Sequence, residues 1–273
     1  MNRTIALLKK IQTPTLQKAL ALALVLLTAW VAGSSAQEEP TDEELLQAMD
    51  FARFGAFFDI AQSEAKGGIV TMEIVAQRPD GNSQATIQIK WKLFDDNDFR
   101  FRVEYITPEE LAGDVFIVNN EEVFFWNPDL LTPIKVNGRF EVFGDATVAE
   151  VVGIFFTGAY NITARETITL DDGRPGIQLD LAAINEFVAF QQAQVTADLE
   201  TLQPVNLKLF DESGDLLHDN TFETYTFFEN GPLFERQLLD NRIVPVNQTL
   251  LDLSDFIAFP HEDDVFNPAA LGN

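Results

Sequence analysis

Residues 99–128, FRFRVEYITPEELAGDVFIVNNEEVFFWNP, decide the fold. Phe99, Phe101, Val103 and Tyr105 alternate with Arg100, Arg102 and Glu104. A period of two marks a strand with one apolar and one charged face. Pro108 to Asp114 interrupts the pattern, and Val115 to Val118 begins a second strand. Asn119-Asn120-Glu121-Glu122 turns the chain into a third, Val123 to Trp126, which Asn127-Pro128 ends. Three strands in close succession predict an antiparallel meander with a largely aromatic inner wall. Phenylalanine carries no polar atom, so such a wall faces either a dry core or an apolar ligand.

The same pattern extends to both sides. Val70, Met72, Ile74 and Ala76 alternate with Thr71, Glu73 and Val75, Pro79-Asp80-Gly81-Asn82 turns, and Ile87, Ile89 and Trp91 alternate with Gln88, Lys90 and Lys92. That predicts a hairpin. Thr132 to Val136 reads as a short strand, and Pro133 places it at an edge because proline cannot donate to a ladder. Further strands are expected around Ile177 to Leu181, Ala193 to Leu199, Val205 to Leu209, Leu216 to Phe228 and Ile243 to Val246. Two capping boxes predict helices. Thr41 with Glu44 opens one over 42–59, and Thr147 with Glu150 opens one carrying Val148, Val151, Val152 and Phe155. The β-branched content of this second segment leaves a strand as a competing reading. The expected fold is mainly β with some α: about ten antiparallel strands in a strongly curved sheet or half-open barrel, capped by helices.

Ahead of this region, Arg3, Lys9, Lys10 and Lys18 precede an apolar run from Ala19 to Ala32, then Gly33-Ser34-Ser35-Ala36. The arrangement reads as a secretory signal peptide cut after Ala36, leaving 37–273 as a single domain. An uncleaved anchor is the rival reading, but the run falls short of the roughly 20 apolar residues of a spanning helix. The chain has no cysteine, which excludes disulfides, thiol nucleophiles, thiolate metal sites and lipidation of a cysteine at the cleavage site. Removing residues 1–36 takes away four of 18 basic residues and none of 43 acidic ones, leaving a charge of −29. Such a chain repels nucleic acid and anionic headgroups, and its charge keeps it dispersed. All 24 phenylalanines lie beyond the leader.

Motifs for chemistry are missing from the chain. It contains no G-x-S-x-G elbow, no H-E-x-x-H and no phosphate loop. His218 and His261 have no partner at metal-ligand spacing, so no metal and no cofactor is expected. Asp95 to Asp98 and Asp211 to Asp215 lack the full calcium-loop pattern and read as turns. An enzyme is therefore not expected.

Four stretches resemble the LolA-like family of periplasmic outer-membrane lipoprotein carriers. They are the hairpin over 69–93, the strand Phe101 to Thr107 ending at Pro108, the segment Val123-Phe124-Phe125-Trp126-Asn127-Pro128, and the region from Phe143 through 147–156, which sits where that family has its lid helix. Val265-Phe266 with Leu271 is similar to the closing motif of the wider lipoprotein-sorting group. The family's Arg-Pro pair, which helps hold the lid, would fall at Asn97-Asp98 and is missing; Arg100 and Arg102 should both point outward.

The resemblance implies a half-open barrel whose concave face binds acyl chains. By that reading the cavity wall comprises Met72, Ile74, Ile89, Trp91, Phe99, Phe101, Val103, Phe116 and Phe125, with Val148, Val152, Phe155 and Phe156 on the lid. The implied function is a soluble, monomeric periplasmic carrier, a chaperone that shields acyl chains of lipoproteins or lipids. It would pass them between donor and acceptor proteins of the envelope toward the outer membrane, with no nucleic acid involved. Shielding is worth about 0.8 kcal/mol per buried CH₂, so an apolar wall alone could supply the binding. The alternative is a periplasmic sensor or interaction module on the same fold, of the envelope-stress regulator type. Capture of a stable protein partner from envelope extracts would distinguish it.

Overall fold

The computed structural model describes residues 40–94, 98–120, 122–229, 231–244 and 246–272. The leader, its cleavage site after Ala36 and most of the Asp95–Asp98 turn lie outside the described residues.

Alternation sets which side of each strand turns inward. In β3 (Phe99–Thr107) Phe99, Phe101, Val103 and Tyr105 are buried, while the Arg100 and Arg102 side chains pair with Asp98 and Glu104. Arg102 also donates to the carbonyl of Val265. Hairpins on this pattern build a first meander of β1 (Gly67–Gln77), β2 (Ser83–Leu93), β3, β4 (Val115–Asn119), β5 (Glu122–Trp126) and β6 (Ile134–Val136). The second meander comprises β9 (Tyr160–Thr169), β10 (Pro175–Ala183), β11 (Gln192–Asp198), β12 (Pro204–Phe210), β13 (Leu216–Phe228), β14 (Gly231–Asn241) and β15 (Gln248–Ala258). Antiparallel pairing of β1 with β15 joins the two into one 13-stranded sheet, with β6 and β9 as its free edges. The sheet is strongly curved and does not close, in line with the expected half-open architecture.

The strand count exceeds the expected ten for identifiable reasons. β14 (GPLFERQLLDN) has no clean alternation, and in β15 (QTLLDLSDFIA) the adjacent apolar pairs Leu250-Leu251 and Phe256-Ile257 break the period of two, so neither reads as a strand from sequence. Ile243 to Val246, expected as a strand, is instead part of the loop between β14 and β15; Ile243, Val244 and Val246 are exposed. A two-stranded hairpin, β7 (Glu141–Phe143) with β8 (Ala146–Thr147), lies on the connection between the two meanders.

α1 (Asp42–Ala61) begins at the Thr41 capping box and lies against the sheet. It is apolar nearly all round, as a helix covered on more than one side must be. Gly55 sets its closeness to β14: a β-carbon there would sit 2.6 Å from the Pro232 side chain. Phe57 of α1 packs on Trp91 with ring centroids 4.7 Å apart, and Phe256 stacks on the same indole. The C-terminal tail covers the back of the first meander. There Leu271 packs with Val115 and Ile117 on the outer side of β4, and Lys92 binds Asp263.

Candidate functional site

Between β6 and β9 the chain crosses the open side of the sheet as a strap, residues 137–159. It holds the β7–β8 hairpin and the short helix α2 (Val148–Val152). The Thr147–Glu150 capping box starts α2 as expected, but the helix ends after five residues rather than running through 156. Gly153 ends it with φ at +91°, a conformation unfavourable to residues with a β-carbon. A β-carbon at Gly153 would also sit 2.4 Å from the ring of Phe54. Residues 153–156 then run without helical structure over α1.

Three sets of polar groups fasten the strap. The Asp50 carboxylate on α1 accepts the backbone N–H groups of Phe156 (2.9 Å) and Thr157 (2.8 Å). Arg53, one helical turn on, donates to the Ile154 carbonyl and pairs with Asp50 at 3.5 Å. Its guanidinium lies 4.3 Å from the Phe54 ring centroid and 4.5 Å from that of Phe156. Burial raises the Asp50 carboxyl and lowers the Arg53 guanidinium, so desolvation opposes both charges.

At the second anchor, Glu150 of α2 accepts from Asn220 (2.7 Å) and pairs with His218 Nδ1 (2.8 Å), both on β13. At the third, Asp145 pairs with Arg78 at 2.6 Å and accepts from Asn241 at 2.8 Å. The strap is thus held by arginines at positions 53 and 78, while Arg100 and Arg102 bind elsewhere.

The Glu150–His218 pair makes stability pH-dependent. Burial favours the neutral form of each. For His218, the charge and hydrogen bond of Glu150, with Asp145 and Glu141 beyond, outweigh burial and leave the imidazole above its ordinary value. For Glu150, His218 and the hydrogen bonds of Asn220 and Thr147 outweigh burial and leave the carboxyl below its ordinary value. The histidine contribution is complete below 6.5 and is lost as pH rises through the higher folded value. The glutamate contribution is complete above 4.5 and is lost as pH falls through the lower folded value. Melting temperatures of wild type and His218→Gln, compared across pH, should differ most between 4.5 and 6.5 and converge above the folded histidine value. A difference that grows steadily toward alkaline pH would refute the pair's role.

Beneath the strap a cavity of about 1240 Å³ opens along α1. Glu44, Ala48, Phe51, Phe58 and Gln62 line it from the helix at spacings of three, four and seven, so one face of α1 looks into it. With about 1.5 Å of rise per residue, a groove along this helix is on the order of 30 Å long. The opposite wall is Phe99 and Phe101 of β3, Val118 of β4 and Val123 of β5. The strap contributes Val148, Val152, Ile154 and Phe155, and the β10–β11 loop contributes Phe187 and Val188. Phe155 stacks on Phe99 at 5.5 Å and 7°, so strap and sheet meet through their rings.

The residues named from sequence divide into two groups. Phe99, Phe101, Val148, Val152 and Phe155 border the cavity. Met72, Ile74, Ile89, Trp91, Val103 and Phe116 are buried in the core and border no part of it. Phe125 packs against Phe116 and Phe140. Phe156 is fully buried beside Arg53 instead of facing the cavity.

Register explains the division. One cross-strand row runs Gly68, Trp91, Phe101, Val118, Val123; its β1 and β2 members lie under α1, and its β3 to β5 members line the cavity. Phe51, Phe58 and Phe187 are cavity residues that sequence reasoning missed. Phe51 and Phe58 lie in a helix apolar on every side, and Phe187 lies in a loop without periodicity.

A strongly curved, open antiparallel sheet with an apolar groove under a strap defines the class: this is the fold of the LolA superfamily. A LolA superfamily protein from Nitrosomonas europaea is similar over 84% of this chain and 98% of its own, with a TM-score of 0.71 at 19% identity. A domain described as an outer membrane lipoprotein-sorting protein, from Vibrio parahaemolyticus, matches over 85% of this chain and 98% of its own, with a TM-score of 0.69 at 16% identity. A DUF1329 family protein from Desulfovibrio piger matches over 84% and 97%, with a TM-score of 0.68 at 12% identity. Residues 97–273 match the model of a family described as "Uncharacterized protein"-like, and the chain belongs to that family. None of the curated proteins compared matches the chain. No helix among the described residues is long and apolar enough to cross a membrane.

Proposed function

We propose that the protein is a periplasmic carrier that shelters acyl chains of lipoproteins or lipids in the groove between α1, β3–β5 and the strap. The observation that carries this reading is the cavity itself. Its volume exceeds the roughly 300–1,000 Å³ of ordinary small-molecule pockets, and its walls are mostly aliphatic and aromatic. Burial of each CH₂ contributes about 0.8 kcal/mol, so a long chain binds here without specific polar contacts. The lipoprotein-sorting description of the Vibrio parahaemolyticus domain, which shares the fold, supports the same reading. In this reading residues 1–36 direct export and are removed, and no catalytic step is involved.

A fluorescent fatty-acyl ester titrated into the purified protein should bind saturably at close to one-to-one stoichiometry. Linear, non-saturating uptake by protein with an intact β-sheet circular dichroism spectrum would sink the proposal.

A further inference from the structure

The groove is lined without a single cation. Among the described residues that border it there is no lysine, arginine or histidine, whereas Glu43 and Glu44 stand where it meets the N-terminal end of α1 and Asp50 lies along it. Several basic side chains are engaged elsewhere. Lys90 and Arg102 bind Glu104, Lys92 binds Asp263, and Arg236 binds Asp252. Arg53 is committed to Asp50 and the Ile154 carbonyl, between two phenylalanine rings. Arg139, next to the bordering Gly138, is exposed and contributes nothing to the wall.

Resting on the carrier reading, we infer that the groove selects acyl ligands whose polar end is uncharged or cationic and turns away those that end in a carboxylate or phosphate. An anionic head drawn inside finds no counter-charge, and an unpaired buried charge is strongly disfavoured. A head left in water at the N-terminal end of α1 meets the field of Asp42, Glu43 and Glu44, three acidic residues in the first turn. The positive end of the helix dipole amounts to only about half a unit charge and is outweighed by them. The Thr41 cap lowers the Glu44 carboxyl below its ordinary value, so this glutamate stays ionised. The net charge of −29 that remains once residues 1–36 are removed adds repulsion of the same sign. Free fatty acids and anionic phospholipids are thereby disfavoured. Acyl chains joined to their carrier through an ester or amide, with neutral or basic surroundings, are accepted.

The test uses three palmitoyl-length probes with one fluorophore and different ends: a methyl ester, a quaternary ammonium and a carboxylate. They are titrated at neutral pH and low ionic strength, where charge is least screened. The carboxylate probe should bind at least roughly fivefold more weakly than the ester, and the ammonium probe at least as tightly as the ester. Glu43→Gln/Glu44→Gln, which keeps the capping box because glutamine serves there as well, should narrow the gap between ester and carboxylate. Equal or tighter binding of the carboxylate, or a gap unchanged in the double variant, overturns the charge selection while leaving the carrier reading in place. Failure of all three probes to bind overturns the carrier reading itself and the selection with it.

Discussion

Replacing Asp50 with alanine should cost about 3–5 kcal/mol, the usual consequence of stranding one partner of a buried ion pair. For a chain of this size that corresponds to a fall of roughly 6–20 °C in melting temperature. Asp50 accepts the N–H groups of Phe156 and Thr157 and faces the Arg53 guanidinium, so its removal leaves two donors and a cation without compensation. Burial already opposes the charge on Arg53, and loss of the carboxylate leaves that penalty unopposed. The companion variant Asp50→Ala/Arg53→Met removes both charges and should recover much of the loss, because paired removal avoids the isolated cation. Thermal melts of the three proteins decide the matter. A double variant no more stable than Asp50→Ala would show that the strap, not the stranded charge, dominates. Released at 154–157, the strap should also become the first segment cleaved in limited proteolysis.

The second large effect separates core from cavity. Trp91→Ala should destabilise the protein by about 3–5 kcal/mol, since the indole is fully buried against Phe57 and Phe256 and its removal leaves a cavity in the core. Phe51→Ala removes a ring of similar kind from the groove, where it is only half-buried. Its stability cost should stay below about 1.5 kcal/mol. Acyl-probe affinity should nevertheless fall about tenfold, or 1.4 kcal/mol. The crossed result is the informative one: if Trp91→Ala weakened binding without loss of stability, the ligand would lie under α1 rather than beside it.

These two aromatics also mark what could be learned from the chain before its structure. Strand β3 was legible because Phe99, Phe101, Val103 and Tyr105 alternate without a break. Both capping boxes were legible because side-chain and backbone chemistry meet within four residues. The cavity was not. A period of two reports which way a side chain points, not whether another element covers it, and Trp91 and Phe101 stand in the same cross-strand row with different neighbours. The difference comes from α1, whose apolar residues surround the helix and so give no hint of which face meets the sheet. One available signal went unused: Asp50 and Arg53 are a charged i,i+3 pair set among the apolar residues Leu45, Leu46, Met49, Phe54 and Phe57 of the helix. Such a pair is retained in a buried helix only where other groups satisfy it.

The joining of β1 to β15 bears on how the molecule is made. Gly68 pairs with Ala258 and Gln77 with Gln248, so the centre of the sheet is a seam between the first and the last of the described strands. During synthesis β1 waits with one ladder open until β15, about 170 residues later, has emerged. Pairing across so long a sequence separation is intrinsically slow. An exposed ladder of that kind invites association with other chains in the meantime. A chain held extended until its last strand is available, as during threading through an export channel, would avoid that hazard.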